Sequence, residues 1–224
     1  MAINFLDRYY WRQVWIEIIL LWKNLMLMNI NIKTDDITQY SSLPVYPLIV
    51  ELRAASDAIH DMSENSVGNF QLFEMAWQKF LQSIDRFWNK FKACCYDKKG
   101  WQTFESKIVE KRKKDQLLNY IMQARNVTEH TISPVVKDWE ANLKATSLNG
   151  GIQISWDPFD RHLLTVINRG QKYPPPQMHL GKPMSFYRAK YKNEPEPVVA
   201  AILAMEFYLE WMNKALEKFF SHVQ

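Results

Sequence analysis

Residues 67–95 read VGNFQLFEMAWQKFLQSIDRFWNKFKACC. Phe70, Phe73, Trp77, Phe80, Ile84, Phe87 and Phe91 recur three or four positions apart, so one stripe of a long helix carries mostly aromatic side chains. Such a stripe has to be covered. The same spacing appears upstream in Val45, Leu48, Leu52, Ala55, Ile59 and Met62, and near the end of the chain in Val198, Ile202, Met205, Leu209, Met212, Leu216 and Phe219. A further helix is expected from Glu105, carried by Leu118, Ile121, Ala124 and Ile132, with Pro134 bending or ending it. Four amphipathic helices bury their stripes most simply in an antiparallel four-helix bundle, so the fold is expected to be mainly α.

Two stretches stand outside that bundle. Over residues 7–28, Trp11, Val14, Ile18, Leu21, Leu25 and Met28 form one stripe and Trp15, Ile19 and Trp22 another. A helix apolar over so wide an arc predicts packing on the bundle or in a dimer, making residues 1–43 an N-terminal extension of a single domain spanning 1–224. Between the helix of Leu118 and Ile121 and the last helix, residues 146–194 lose the helical period. Asn149, Gly150 and Gly151 signal a turn, 152–156 alternates, Asp157, Pro158, Phe159 and Asp160 signal a second turn, and 163–167 is apolar. A β-hairpin insertion is expected, followed by an extended connector at Pro174, Pro175 and Pro176.

Composition removes several function classes. The 224 residues are 14% aromatic, which excludes a disordered chain. The two cysteines, Cys94 and Cys95, are neighbours with poor geometry for a bridge and suit a reducing compartment. The histidines His60, His130, His162, His179 and His222 share no ligand spacing, so neither a zinc site nor any cofactor is expected. The apolar run at 18–22 is bracketed by Glu17 and Lys23, too short to span a bilayer, and no secretory leader is recognisable; a cytoplasmic protein is expected, with no membrane partner.

Charge is uneven along the chain. Residues 161–192 carry 7 basic and 0 acidic groups, whereas the other segments are near balance or acidic. Within that stretch Arg161, Arg169, Lys172, Arg188 and Lys190 alternate with Tyr173, Phe186, Tyr187 and Tyr191, a mixture suited to phosphate contact and base stacking. Lys111, Arg112, Lys113 and Lys114 form a second basic run, which also reads as a solvated helix face.

The residues with the most chemistry are Gln123, Ala124, Arg125, Asn126, Val127, Thr128, Glu129 and His130. Arg125 with Glu129, and Asn126 with His130, are four apart and share helix flanks. Arg followed by Asn, three residues and then His resembles the signature of HEPN domains, helical bundles that commonly act as metal-independent endoribonucleases in toxin–antitoxin, defence and RNA-processing systems. The resemblance covers the bundle, residues 44–145 and 194–221, and not the N-terminal helix or the β insertion. It implies Arg125 as the group that stabilises the phosphoryl transition state, His130 as general acid and base, Asn126 orienting His130 or holding ribose phosphate, and Glu129 positioning Arg125. It further implies an RNA substrate, a homodimer with facing motifs, and a protein antitoxin where the chain is a toxin. The alternative on the same residues is an inactive bundle that binds RNA or protein, with Arg125 and Glu129 as a plain intrahelical ion pair. Cys94 and Cys95 read as inert thiols, and His60, His162, His179 and His222 receive no role.

Overall fold

The structure, a computed structural model, describes residues 45–66, 69–130, 135–137, 144–148, 151–155, 162–169, 171–191 and 194–220, with side chains described for all of these except 129, 130, 137, 144–148, 151–155 and 169. The chain divides into two units, Met1–Tyr46 and Pro47–Gln224. The helix expected over residues 7–28 lies outside the described residues; almost all of those described belong to the second unit.

Helix α1 (Tyr46–Glu64) and helix α2 (Phe70–Cys95) realise the first two stripes. Asn69 caps α2 by accepting a hydrogen bond from the Leu72 N–H at 3.1 Å, satisfying one of the donors that a helix start leaves open. Phe73, Trp77, Phe80, Ile84, Phe87 and Phe91 are buried. Lys90 binds Glu51 at 2.6 Å and Lys79 binds Asp61 at 3.4 Å, so α1 and α2 run antiparallel.

The single helix expected from Glu105 onward is in fact two, α3 (Trp101–Lys114) and α4 (Gln116–His130), parted at Asp115. Asp115 takes extended backbone with ψ 127°, donates its N–H to the Lys111 carbonyl, and accepts the Leu118 N–H on its carboxylate at 3.0 Å. It ends one helix and caps the next, a role in which Asp excels. Helix α4 packs against α2, α3 and the last helix, α6 (Glu196–Phe219), which also meets α2. All eight residues from Val198 to Met205 are buried, so the first half of α6 is covered on every side rather than along one stripe. Ala200, Ala201 and Ala204 let its neighbours approach closely.

The insertion is larger than the expected hairpin and begins directly after α4. Its described residues form four antiparallel strand pairs: β1 (Val136–Lys137) with β4 (Leu163–Leu164), β2 (Lys144–Leu148) with β3 (Gly151–Ser155), β5 (Ile167–Arg169) with β6 (Gln171–Tyr173), and β7 (Met178–His179) with β8 (Lys182–Pro183). Gly151 therefore pairs with Leu148 of the strand before it, whose KATSL sequence hides strand character, and 163–164 finds its partner next to α4. Val135, Val136 and Leu164 are buried there. The 157–160 turn and His222 lie outside the described residues. Pro174, Pro175 and Pro176 are irregular, as expected, and a short helix α5 (Met184–Lys190) follows β8.

Buried polar groups fasten this insertion to α4. The Tyr120 hydroxyl lies 2.8 Å from the Thr165 carbonyl and 3.2 Å from that of Val135. Burial, with Glu196 adding to it, pushes the phenol up, so it stays a neutral donor. Tyr120→Phe removes that donor from both carbonyls, while the Val135 carbonyl keeps the Thr165 N–H at 3.1 Å. A loss of about 1–2 kcal/mol is expected, read from the urea midpoint at unchanged slope.

Two histidines given no role from sequence are structural. His162 packs its ring 4.2 Å from that of Phe73 and 5.2 Å from that of Phe70. His179 is held by Asp115 with Nδ1 3.0 Å from the carboxylate, and both side chains are buried. Burial pushes the Cys95 thiol up to about 12, in keeping with an inert sulfur.

Candidate phosphate-facing site between α2, α3 and α4

Helix α4 carries the motif on its second half, with Ala124 and Val127 buried against the core. Their burial fixes the rotation of the helix and leaves Arg125 and Asn126 at the border between core and solvent. One Nη of Arg125 lies 3.0 Å from Oδ2 of Asp85 on α2, and the other donates to the Asn126 side-chain oxygen at 3.3 Å. The two charged side chains are similarly shielded, with 25% and 23% of their surface open. Arg125 is thus held in one orientation at the α2–α4 seam, and it keeps a face toward water.

Asp85 is the member of this group that sequence reasoning misses. It follows Ile84 on α2, at the edge of the aromatic stripe, and nothing local marks it as an arginine partner. Glu129 and His130 close α4, one turn beyond Arg125 and Asn126 respectively; their side chains are outside the described residues.

A second guanidinium approaches the same part of α2. Arg112 belongs to the run expected to form a solvated face, but it is buried, at 9% exposure. The run divides by helix rotation: Trp101, Phe104, Ile108 and Arg112 are the buried positions of α3, spaced three, four and four. That spacing is the signal that marks Arg112 as inward. Its guanidinium carbon sits 4.6 Å from the ring centre of Trp88 and 5.7 Å from that of Tyr208. Burial pushes the Tyr208 phenol up, Arg112 opposes that rise by its charge and a hydrogen bond, and Asp85 adds to it. Asp85 and Arg112 therefore act on the buried Tyr208 phenol in opposite directions.

Lys111 and Lys114 stay on the surface and line, with Lys107, Leu180 and Trp211, a groove of about 450 Å³ beside the β7–β8 turn. Of the insertion residues singled out for RNA contact, Lys172, Arg188 and Lys190 are exposed, and Arg188 is also ion-paired with Glu196 of α6. Arg161 and the Arg169 side chain lie outside the described residues. Structure brings Arg125, Asn126 and Asp85 together; it places Lys172 on β6, and Arg188 and Lys190 on α5. Phe186, half exposed, carries Lys182 over its ring at 4.7 Å, an aromatic platform within the stretch where the sequence mixes basic and aromatic residues.

Among the described residues no group of three or more His, Cys, Asp or Glu is placed to hold a metal ion, and no helix is long and apolar enough to cross a membrane. No family model, no curated protein and no solved structure matches the chain.

Proposed function

We propose that this chain is a HEPN-like endoribonuclease that cleaves RNA with its own residues, in the cytoplasm, as a homodimer whose two motifs face each other. The observation that supports it is Arg125: a guanidinium oriented by Asp85 and Asn126 at a helix seam, partly open to solvent, one turn and a residue before His130. RNA supplies its own nucleophile. The ribose 2′-hydroxyl attacks the adjacent phosphorus, the bond to the 5′-oxygen breaks, and a 2′,3′-cyclic phosphate and a 5′-hydroxyl result. An imidazole titrating near ~6.5 can take the proton from the attacking hydroxyl and return one to the leaving oxygen. Arg125 has five N–H donors, enough to keep Asp85 and still meet the phosphoryl oxygens, where negative charge grows. In a toxin or defence setting, a protein antitoxin would cover this face.

The Arg125–Asp85 pair favours one competing reading. A guanidinium committed to a carboxylate can serve only to tie α2 to α4, in a bundle that binds RNA or protein without cutting. Incubating purified protein with total RNA in EDTA, beside His130→Ala, separates the two. Wild type is expected to yield fragments ending in cyclic phosphate and the variant is not; equal cleavage by both, or none by either, removes the nuclease.

A further inference from the structure

A groove of about 380 Å³ lies between α4 and the chain leaving β6, lined by Gln116, Asn119 and the buried Tyr120 from the helix and by Tyr173, Pro174 and Pro175 from the connector. The protein fixes its width in advance. The Gln116 side-chain oxygen accepts the N–H of Gln177 at 3.1 Å and that of Met178 at 3.2 Å, which pins the connector to the start of α4. The rings of Pro174 and Pro175 fix their φ angles, so this wall has little backbone freedom to lose when a ligand arrives. Gln171, on the same face of β6, donates to the Tyr173 hydroxyl and steadies that half-buried ring. A ring and a carboxamide in one groove are the groups with which proteins take an unstacked base, the ring stacking on its face and the carboxamide meeting its edge with a donor beside an acceptor. Gln116 is committed to the connector. Asn119, half-buried and joined to Gln123 at 3.4 Å, is the carboxamide that meets the edge.

Two further observations choose the strand to which the base belongs. Gln116, Asn119, Gln123, Asn126 and then position 130 are spaced three, four, three and four, so they fall within about 80° of arc on α4. The described side chains of this polar track are exposed or half-buried, and it leads from the groove to the motif, about 16 Å from Asn119 to position 130 at a rise of about 1.5 Å per residue. The connector wall belongs to residues 161–192, which carry 7 basic and 0 acidic groups, and exposed Lys172 directly precedes Tyr173. A phosphate chain following that wall meets positive charge. We propose that the groove is a base-binding subsite, which takes one unstacked base of an RNA strand, stacked on Tyr173 and hydrogen-bonded to Asn119, a few nucleotides from the phosphate that Arg125 meets. The RNA strand and its cut rest on the function proposed above; the base assignment rests on the lining of the groove.

The test titrates a short single-stranded RNA into the full chain in a His130→Ala background, with an abasic residue moved along the strand one position at a time. At one position the missing base is expected to lower affinity about tenfold, or about 1.4 kcal/mol, in the range for one base stacked on an aromatic ring. Tyr173→Ala should lose the same tenfold on the intact strand and become indifferent to the abasic residue. Tyr173→Phe, which keeps the ring, should bind like its parent, and Asn119→Ala should flatten the difference between strands carrying A, C, G or U at the sensitive position. Adenosine monophosphate, added in a thermal melt, is expected to raise the melting temperature of the parent and not that of Tyr173→Ala. A Tyr173→Ala protein that weakens on intact and abasic strands alike makes Tyr173 a support for the connector and overturns the proposal. So does a parent that binds RNA with no sensitive position, or one that responds to neither RNA nor the mononucleotide. A mononucleotide response that depends on Tyr173, in a protein that binds no RNA strand, overturns the RNA assignment and leaves a nucleotide site. None of these readings requires cleavage, so failure of the nuclease is read separately, from the EDTA experiment.

Discussion

Asp115→Ala is expected to cost about 3 kcal/mol or more of folding stability, because hydrogen bonds to a charged group are worth about 1.5–3 kcal/mol each and several end together. Three groups lose their acceptor at once. The Leu118 N–H at the start of α4, the Leu180 N–H at the β7–β8 turn 2.6 Å away, and Nδ1 of His179 all converge on this carboxylate. The turn it holds is itself unfavourable, since Leu180 has φ 46°, a left-handed conformation that a branched side chain adopts reluctantly. Without Asp115 the elbow between α3 and α4 loses its cap and the insertion loses its anchor. Burial alone would push the Asp115 carboxyl up; the His179 ring and the two N–H groups outweigh it and hold the group below the usual carboxylate range. A folded-state pKa below the unfolded one contributes stability in full above the unfolded value, near ~3.9, and loses it as pH falls through the folded value. The gap in urea midpoint between wild type and Asp115→Asn should therefore be widest near neutral pH and narrow in acid below about pH 4. A gap that stays constant across that range would show the stabilisation to be something other than a charged carboxylate.

Arg125→Ala is expected to lower the RNA cleavage rate by about 10²–10³-fold, the usual effect of removing one donor aimed at developing negative charge. Its effect on stability should be small beside this, about 1 kcal/mol, because the Asp85 pair is only partly shielded and sits between the exposed and buried cases. Asp85→Asn separates positioning from support. It keeps the side-chain shape and an acceptor oxygen while removing the charge, so a scaffold role predicts a lower melting temperature and no other change. A positioning role predicts cleavage altered beyond what the melting temperature explains, most clearly in the rate at saturating RNA. Single-turnover rates measured beside thermal melts decide the matter, and an Arg125→Ala protein that cuts like wild type ends the catalytic assignment.

The helices that bury a single stripe were legible residue by residue. Phe73 to Phe91 on α2 fall where the spacing puts them, because a helix of fixed pitch has only one way to hide that many rings. Legibility failed where a residue acts on something far along the chain. Asp115 looks like any polar residue inside a helical period, and its role as anchor of the insertion depends on His179 and Leu180 arriving from far along the chain. Leu163 and Leu164 suggested pairing with the strand just before them, whereas burial beside α4 selected Val136 and Lys137.

The same division runs through the site. Local periodicity by itself determined that this chain is helical, where α2 and α6 lie, and that Arg125, Asn126 and His130 ride on one helix. It held as well the clue that Arg112 continues the stripe of Trp101, Phe104 and Ile108. Only the tertiary structure decided that Asp85 holds Arg125 and that Arg112 lies between two aromatic rings. The reason is one of range: helical pitch sets which face of each segment turns inward from neighbours three and four residues away. Electrostatic partnership acts over a few ångströms of space and is fixed only when separate helices come to rest against each other.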